Sequence, residues 1–252
     1  MVTPEHDTAP VPGKPLMGLA RRIAKFGYAS RREAEEMVRA GRVRVDGRRV
    51  LDPFAGVPAE AEISLDGQVL QEVQRTYLAF HKPPGVTTNP HIGQRGRLVA
   101  EFFPADVPGL RPAGRLDTTT TGLLLISNDA PWNALAATGN GLLKEFLVRV
   151  AGEISDLQLD LIAHGVTIHK VGRVAPENVK LEARNKANSV IRIALREGRV
   201  RQIRALCQAL RLELKGLHRI RIGPVHLGTL RPGKLRALTP EEVEGIRRGR
   251  GR

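Results

Sequence analysis

The 252-residue sequence holds a single cysteine, Cys207, which excludes an internal disulfide framework and any metal site built on cysteine ligands. Its seven histidines show no paired-ligand spacing, so no metal is expected. Aromatic residues make up only 4% of the chain, too few for a platform that reads single strands by stacking bases on rings. No stretch approaches the ~18 consecutive apolar residues of a spanning helix, and the N-terminus lacks the charged-then-apolar order of a secretory signal. The expectation is a cytoplasmic protein without membrane association. Acidic residues are also scarce: 26 Asp and Glu against 40 Lys and Arg leave a net charge of +14. Such an excess favours a polyanionic partner through phosphate neutralisation and counterion release, without by itself distinguishing RNA, DNA and anionic membrane.

What is present supports two domains, since 41% apolar residues in a chain of this length suffice for one small and one medium core. Residues 1–15 carry Pro4, Pro10, Pro12 and Pro15 among small polar residues and read as a disordered tail. Apolar residues then recur at Leu16, Leu19, Ala20 and Ile23 with the spacing of one helix face, and Gly27 can end that helix. Ser30 with Glu33 forms a capping-box pattern that opens a second helix through Ala34, Met37 and Val38 to Gly41. Val43 and Val45 alternate with Arg42 and Arg44, Asp46-Gly47 is a two-residue hairpin turn, and Val50 lies on the returning strand. Residues 16–50 hold ten basic and four acidic side chains, with Arg31 and Arg32 in the first turn of the capped helix. Cations there oppose the helix dipole, which is easier to understand if phosphates sit nearby.

The segments Ala29-Ser30-Arg31-Arg32-Glu33-Ala34 and Gly41-Arg42-Val43-Arg44-Val45-Asp46-Gly47 resemble the signature of the S4 RNA-binding domain, over about residues 16–70. Residues 71–76 read as a linker. Tyr77 to Phe80 begins the second domain, 77–246, as a strand that stops at the turn Lys82-Pro83-Pro84-Gly85. The apolar-poor stretch from Val86 to Arg97 reads as a loop whose His91, Arg95 and Arg97 face RNA or solvent. Leu123 to Ile126 suits a central buried strand; Phe146–Val150, Gly165–Ile168 and Ser189–Leu195 continue the strand pattern. Val200 to Leu210 reads as a helix with Ile203, Leu206, Cys207 and Leu210 on one face, and residues 247–252 as a basic tail.

Asp117 follows Gly114 and precedes four threonines and the buried strand, which places it in a loop at the edge of the sheet. Such a residue is either a turn-forming aspartate or a catalytic one. The run Arg111-Pro112-Ala113-Gly114-Arg115-Leu116-Asp117, followed by Thr120-Thr121-Gly122-Leu123-Leu124-Leu125, closely resembles the active-site motif of pseudouridine synthases of the RsuA/RluB type. In order along the chain, Lys82 to Gly85, Gly198 to Arg204, and Arg219 to Val225 with Leu227-Gly228 and Pro232-Gly233 resemble further motifs of that family. Four matches in order behind an S4-like domain are far more specific than any one alone.

The resemblance implies an α+β fold: a small S4-type RNA-binding domain followed by a catalytic domain whose mixed, mostly antiparallel sheet is flanked by helices. It implies isomerisation of a uridine in ribosomal RNA, 23S favoured over 16S, with Asp117 as catalytic carboxylate and no cofactor. Arg204 is implied as a buried counter-charge to Asp117, and Arg115, Lys144, Phe146 and Ile203 as supporting the site, Ile203 as part of an apolar floor near the base. The RNA path would run over Arg21, Arg22, Arg31, Arg32, Arg42, Arg44, Lys82, Arg199 and Arg201. The expected partner of a monomeric enzyme is ribosomal RNA or a ribosomal precursor particle. The sequence departs from the family at Lys144-Glu145-Phe146, where a tyrosine is usual in the third place. Phenylalanine keeps the stacking face and loses the hydroxyl. That loss motivates the alternative, a non-catalytic RNA-binding or ribosome-assembly factor that retains the fold.

Overall fold

Ser30 caps its helix as the spacing predicts: its hydroxyl accepts from the Glu33 amide at 3.3 Å while the Glu33 carboxylate accepts from the Ser30 amide at 2.8 Å. Two of the four orphan donors of the helix start are thereby satisfied. The computed structural model describes residues 16–88, 96–137, 141–196 and 200–249, and the chain divides into two units, 1–74 and 75–252. The expected tail 1–15, His91, Arg95 and Arg199 lie outside the described residues.

In the first unit, α1 (Leu19–Phe26) and α2 (Arg31–Arg39) bury Leu19, Ala20, Ile23, Ala34 and Val38. They share a core with Val43 of β1 (Val43–Val45) and Ile63 of β2 (Ile63–Leu65), an antiparallel pair. Each is extended by a two-residue strand, Arg48–Arg49 and Gln68–Val69 respectively. Asp46-Gly47 and Asp66-Gly67 have positive φ at both positions, the geometry of two-residue turns that match strand twist. The second hairpin adds to the one expected, and Asp66-Gly67 is its signal in the sequence. Leu16 does not join the helix: Met17–Gly18 is extended and pairs with Gly56–Val57, leaving Leu16 exposed. Residues 71–76 are tied at both ends, since the Val73 amide donates to Phe26 O and the Thr76 amide to Asn128 Oδ1.

The second unit is built on a sheet of nine strands among the described residues, seven of them in the order β6-β7-β5-β8-β4-β3-β9. These are β3 (Tyr77–Lys82), β4 (Thr121–Ser127), β5 (Lys144–Ala151), β6 (Asn178–Arg184), β7 (Asn188–Leu195), β8 (Leu214–Ile222) and β9 (Leu235–Ala237). Arg111–Ala113 adds to β4, and Val225–His226 to β8. Every pairing in this sheet is antiparallel except β4 with β8, which meet in parallel at Thr121–His218 and Gly122–Arg219 alone. The sheet is thus two antiparallel halves joined at a two-residue seam. Gly122 makes the seam possible: its φ is +101°, and a Cβ there would lie within contact distance of the Arg219 backbone.

Each half has its own cover. α4 (Asp156–His164) and α5 (Val200–Ala209) belong to the half containing β5, β7 and β8, around Phe146, Val148, Ile191, Ile193, Ile203 and Leu206. α3 (Ala130–Ala137) and α6 (Pro240–Arg248) pack Trp132 and Ile246 against Ala79, Leu123 and Leu125. On the alternate register of β3 and β4, Leu78, Phe80, Leu124 and Ile126 enclose Leu116. Burying that leucine stabilises by roughly 1.5–3 kcal/mol and anchors the loop that carries Asp117. Arg247 belongs to the last turn of α6, not to a basic tail: its guanidinium donates to the Tyr77 hydroxyl at 2.8 Å. Basic residues at a helix C-terminus complement its dipole.

Candidate active site

Asp117 sits between the Arg111–Ala113 strand and β4, where the threonine run that follows it folds back onto its carboxylate. Oδ1 accepts the Thr119 amide at 3.1 Å, the Thr119 hydroxyl at 3.0 Å and the Thr120 amide at 2.6 Å. This is the aspartate turn that the local sequence allows, and it also orients the side chain. Arg204, on α5, closes the arrangement from the other half of the sheet. Its Nε donates to Oδ2 at 3.0 Å and its Nη2 to Oδ1 at 3.2 Å and to the Thr119 hydroxyl at 2.7 Å.

The resulting ion pair spans the seam. Both side chains keep access to solvent, 38% for Arg204 and 41% for Asp117. Arg204 is therefore half-buried rather than buried as expected. Burial alone would raise the pKa of Asp117; the hydrogen bonds from Thr120, Arg204 and Thr119 outweigh it and hold the carboxyl below its ordinary range. Oδ1 accepts from both threonine amides, the Thr119 hydroxyl and Arg204 Nη2, and Oδ2 from Arg204 Nε, with the Thr120 side chain also bonded to the carboxylate; Oδ2 is the less crowded oxygen and keeps accepting capacity.

Two cations of the second unit, Lys82 and Arg219, are buried, and the first departs from the sequence reading. Lys82, expected on the RNA path, has no exposed surface: its Nζ donates to Val86 O at 2.7 Å and Pro83 O at 3.1 Å. A side chain sealed beneath its own turn cannot meet a phosphate. Burial lowers its pKa to about 8, with Asp117 opposing that shift and Arg219 adding to it. Arg219 is buried as well, donating from Nε to Leu123 O at 2.7 Å while its Nη2 finds no partner among the described residues. Burial lowers its pKa to about 9. Lys82 is therefore a buried positive charge that interacts with Asp117 through space, and Arg219 is a second buried cation close enough to Lys82 to oppose its charge.

Phe146 and Ile203 are both fully enclosed in the α5-side core. Neither presents exposed surface in this structure, and the position of the missing hydroxyl has apolar surroundings. Lys144 is buried and donates to Ala137 O at 2.6 Å, satisfying the last turn of α3. Arg115 and Arg201 are exposed. In the first unit Arg21, Arg31, Arg32, Arg42 and Arg44 are exposed, but Arg22 is not free: it donates to Pro58 O at 2.9 Å and to Ala59 O. It is a tether for the 58–59 turn and is withdrawn from the RNA path. Arg42 pairs with Asp66, Nε to Oδ1 at 3.0 Å. Thr119, Thr120 and Arg219 are the site residues that sequence reasoning does not single out; the threonine run is the available signal for the first two.

A family model for RNA pseudouridylate synthase matches residues 76–209, and one for the S4 domain matches residues 17–63. Ribosomal large subunit pseudouridine synthase B of Bacillus subtilis (strain 168) is 32% identical over 232 residues, which cover 91% of this chain and 95% of the relative. Ribosomal small subunit pseudouridine synthase A of Vibrio parahaemolyticus is 30% identical over 220 residues, covering 86% and 94%. A solved crystal structure of a pseudouridylate synthase matches with a TM-score of 0.62 and 28% identity, over 91% of this chain and 99% of that one. With its core motifs matched across more than half its length behind an S4 unit, the chain belongs to the RNA pseudouridylate synthase family of isomerases.

Proposed function

We propose that this enzyme converts one uridine of ribosomal RNA to pseudouridine, with 23S RNA preferred over 16S RNA, and that Asp117 is its catalytic carboxylate. The observation that carries the reading is the Asp117 carboxylate itself, kept ionised by Thr119, Thr120 and Arg204 and left with accepting capacity on Oδ2. The reaction breaks the bond from N1 to C1′, turns the detached uracil and joins C5 to C1′; the C5 proton leaves and N1 gains one. Oδ2 acts either as a nucleophile on the sugar or on the base, or as the base that removes a sugar proton to start elimination, and each role requires an unblocked anion. Arg204 keeps that anion charged and aimed. Reaching C1′ in folded RNA requires the nucleotide to leave its stack, at a cost of roughly a few kcal/mol. Exposed Arg21, Arg31, Arg32, Arg44 and Arg201 supply sequence-independent attraction to the flanking phosphates. The helical pairs of Arg31 with Glu35 and Arg32 with Glu36 are exposed and weak enough to be exchanged for phosphate.

The test is tritium release from ribosomal RNA labelled at uridine C5. Wild type releases tritium, 23S more than 16S, and Asp117→Asn, folded to the same melting temperature, releases none. Absence of release by wild type from either RNA and from precursor particles would overturn the assignment.

A further inference from the structure

The segment from Leu227 to Lys234 carries two of the motifs singled out in the sequence, Leu227-Gly228 and Pro232-Gly233, yet the chemistry at Asp117 uses neither. It borders a cavity of about 570 Å³ lined by His226, Thr229, Arg231, Lys234 and Arg236 among others. Its charge is one-sided, because residues 225–240 contain no Asp or Glu. Arg236 is compensated by Glu242, with contacts of 2.7 and 2.8 Å, and also donates to His226 O. Arg231 and Lys234 are exposed and form no ion pair among the described residues. Two uncompensated cations on the rim of one concavity are an anion-binding arrangement.

The loop is also firmly mounted. The His81 amide donates to Lys234 O at 3.1 Å, the Gly233 amide to His81 O at 2.8 Å, and the Lys234 amide to Arg231 O at 3.1 Å. The His81 ring meets Leu230 O at 2.7 Å through Nδ1, which must carry the proton because a carbonyl only accepts. His81 precedes Lys82, whose turn joins the Asp117 loop where the Gly85 amide donates to Thr118 O at 2.8 Å. The cavity and the catalytic loop are therefore carried by the same end of β3. A ligand held at one is held in fixed register with the other.

We propose that this basic concavity binds the phosphodiester backbone of the RNA strand flanking the target uridine, with Arg231 and Lys234 as the phosphate contacts. It acts as an anchor within the catalytic unit, additional to the S4 unit. The inference rests on RNA being the substrate, which family membership supplies, and not on which uridine is modified. Backbone contacts position a nucleic acid without reading its sequence, which is the role that two exposed cations on a rigid loop can fill.

The experiment uses the full-length chain with Arg231→Gln and Lys234→Gln combined, read by fluorescence anisotropy with a labelled RNA hairpin of arbitrary sequence across a salt series. The slope of log affinity against log salt should fall by about 1.4–1.8, the loss of two phosphate contacts. KM for ribosomal RNA should rise with kcat unchanged, and the charge-conserving Arg231→Lys/Lys234→Arg variant should keep the wild-type slope. An unchanged slope and KM would overturn the proposal. So would weakened binding of polyglutamate with RNA binding intact, which would indicate an acidic protein partner. Binding is measured without turnover, so failure of the ribosomal RNA assignment would leave this result readable.

Discussion

Replacing Gly122 by alanine should damage stability and catalysis together, because that glycine sits where the two halves of the catalytic sheet meet. Its φ of +101° is unfavourable for any residue with a Cβ, at about 1–2 kcal/mol. The added methyl would press on the carbonyl oxygen, amide nitrogen and carbonyl carbon of Arg219. Those are backbone atoms of a central strand and cannot swing aside, so overpacking adds about 1–3 kcal/mol. The combined loss of about 2–5 kcal/mol corresponds to a fall in Tm of roughly 5–15 °C for a unit of this size. The catalytic consequence follows from the seam: Asp117 hangs from the β4 half and Arg204 from the α5 half, joined by contacts of 3.0–3.2 Å. Parting the halves by about 1 Å should lower kcat by roughly a hundredfold. Thermal unfolding followed by circular dichroism, and tritium release well below the new Tm, measure the two effects. A Tm within about 2 °C of wild type would refute the steric reasoning, and a lowered Tm with unchanged kcat would refute the coupling across the seam.

Lys82→Met should change how stability depends on pH. Burial lowers the Lys82 pKa from 10.5 to about 8 in the folded state. Between those values the unfolded chain holds a proton that the native protein has released, so stability rises with pH across that window. Wild type should gain on the methionine variant by up to about 3 kcal/mol from pH 8 to 10.5, as read from urea unfolding at several pH values; a flat difference would contradict a buried, titrating lysine. In the first unit, Arg22→Ala should cost about 1–2 kcal/mol through its lost carbonyl contacts and leave the salt slope of RNA binding unchanged. Arg32, which is 90% exposed, should behave in the opposite way: Arg32→Ala keeps Tm and lowers the slope by about 0.7–0.9. The reverse pattern in the two variants would overturn the division between tether and RNA contact.

Short-range chemistry makes much of this protein legible from its amino acids alone. Ser30 with Glu33, and Asp46-Gly47, act within a few residues, so their helix start and hairpin turn follow from spacing. The wholly apolar run Leu123–Ile126 has no polar face to turn to water and becomes a buried central strand. The Asp117–Arg204 pair, 87 residues apart, is reachable only through the family motifs, since nothing local to either residue names the other.

Which cations face water was decided only by the tertiary structure. Arg22 and Arg32 have the same side chain on neighbouring helices, yet one is held by Pro58 and Ala59 and the other is solvated. Lys82 reads along the chain as part of the RNA path and is buried, as is Arg219; Phe146 and Ile203 read as supporting the site and lie in a core. Burial depends on which distant segments pack above a residue, and charge, spacing and periodicity along the chain do not encode that. The sequence by itself determined the local turns, the helix starts, the apolar strands and the excess of positive charge. Long-range packing decided the rest: contacts across the Gly122 seam hold Asp117 against Arg204, and packing within each unit sets which cations stay exposed.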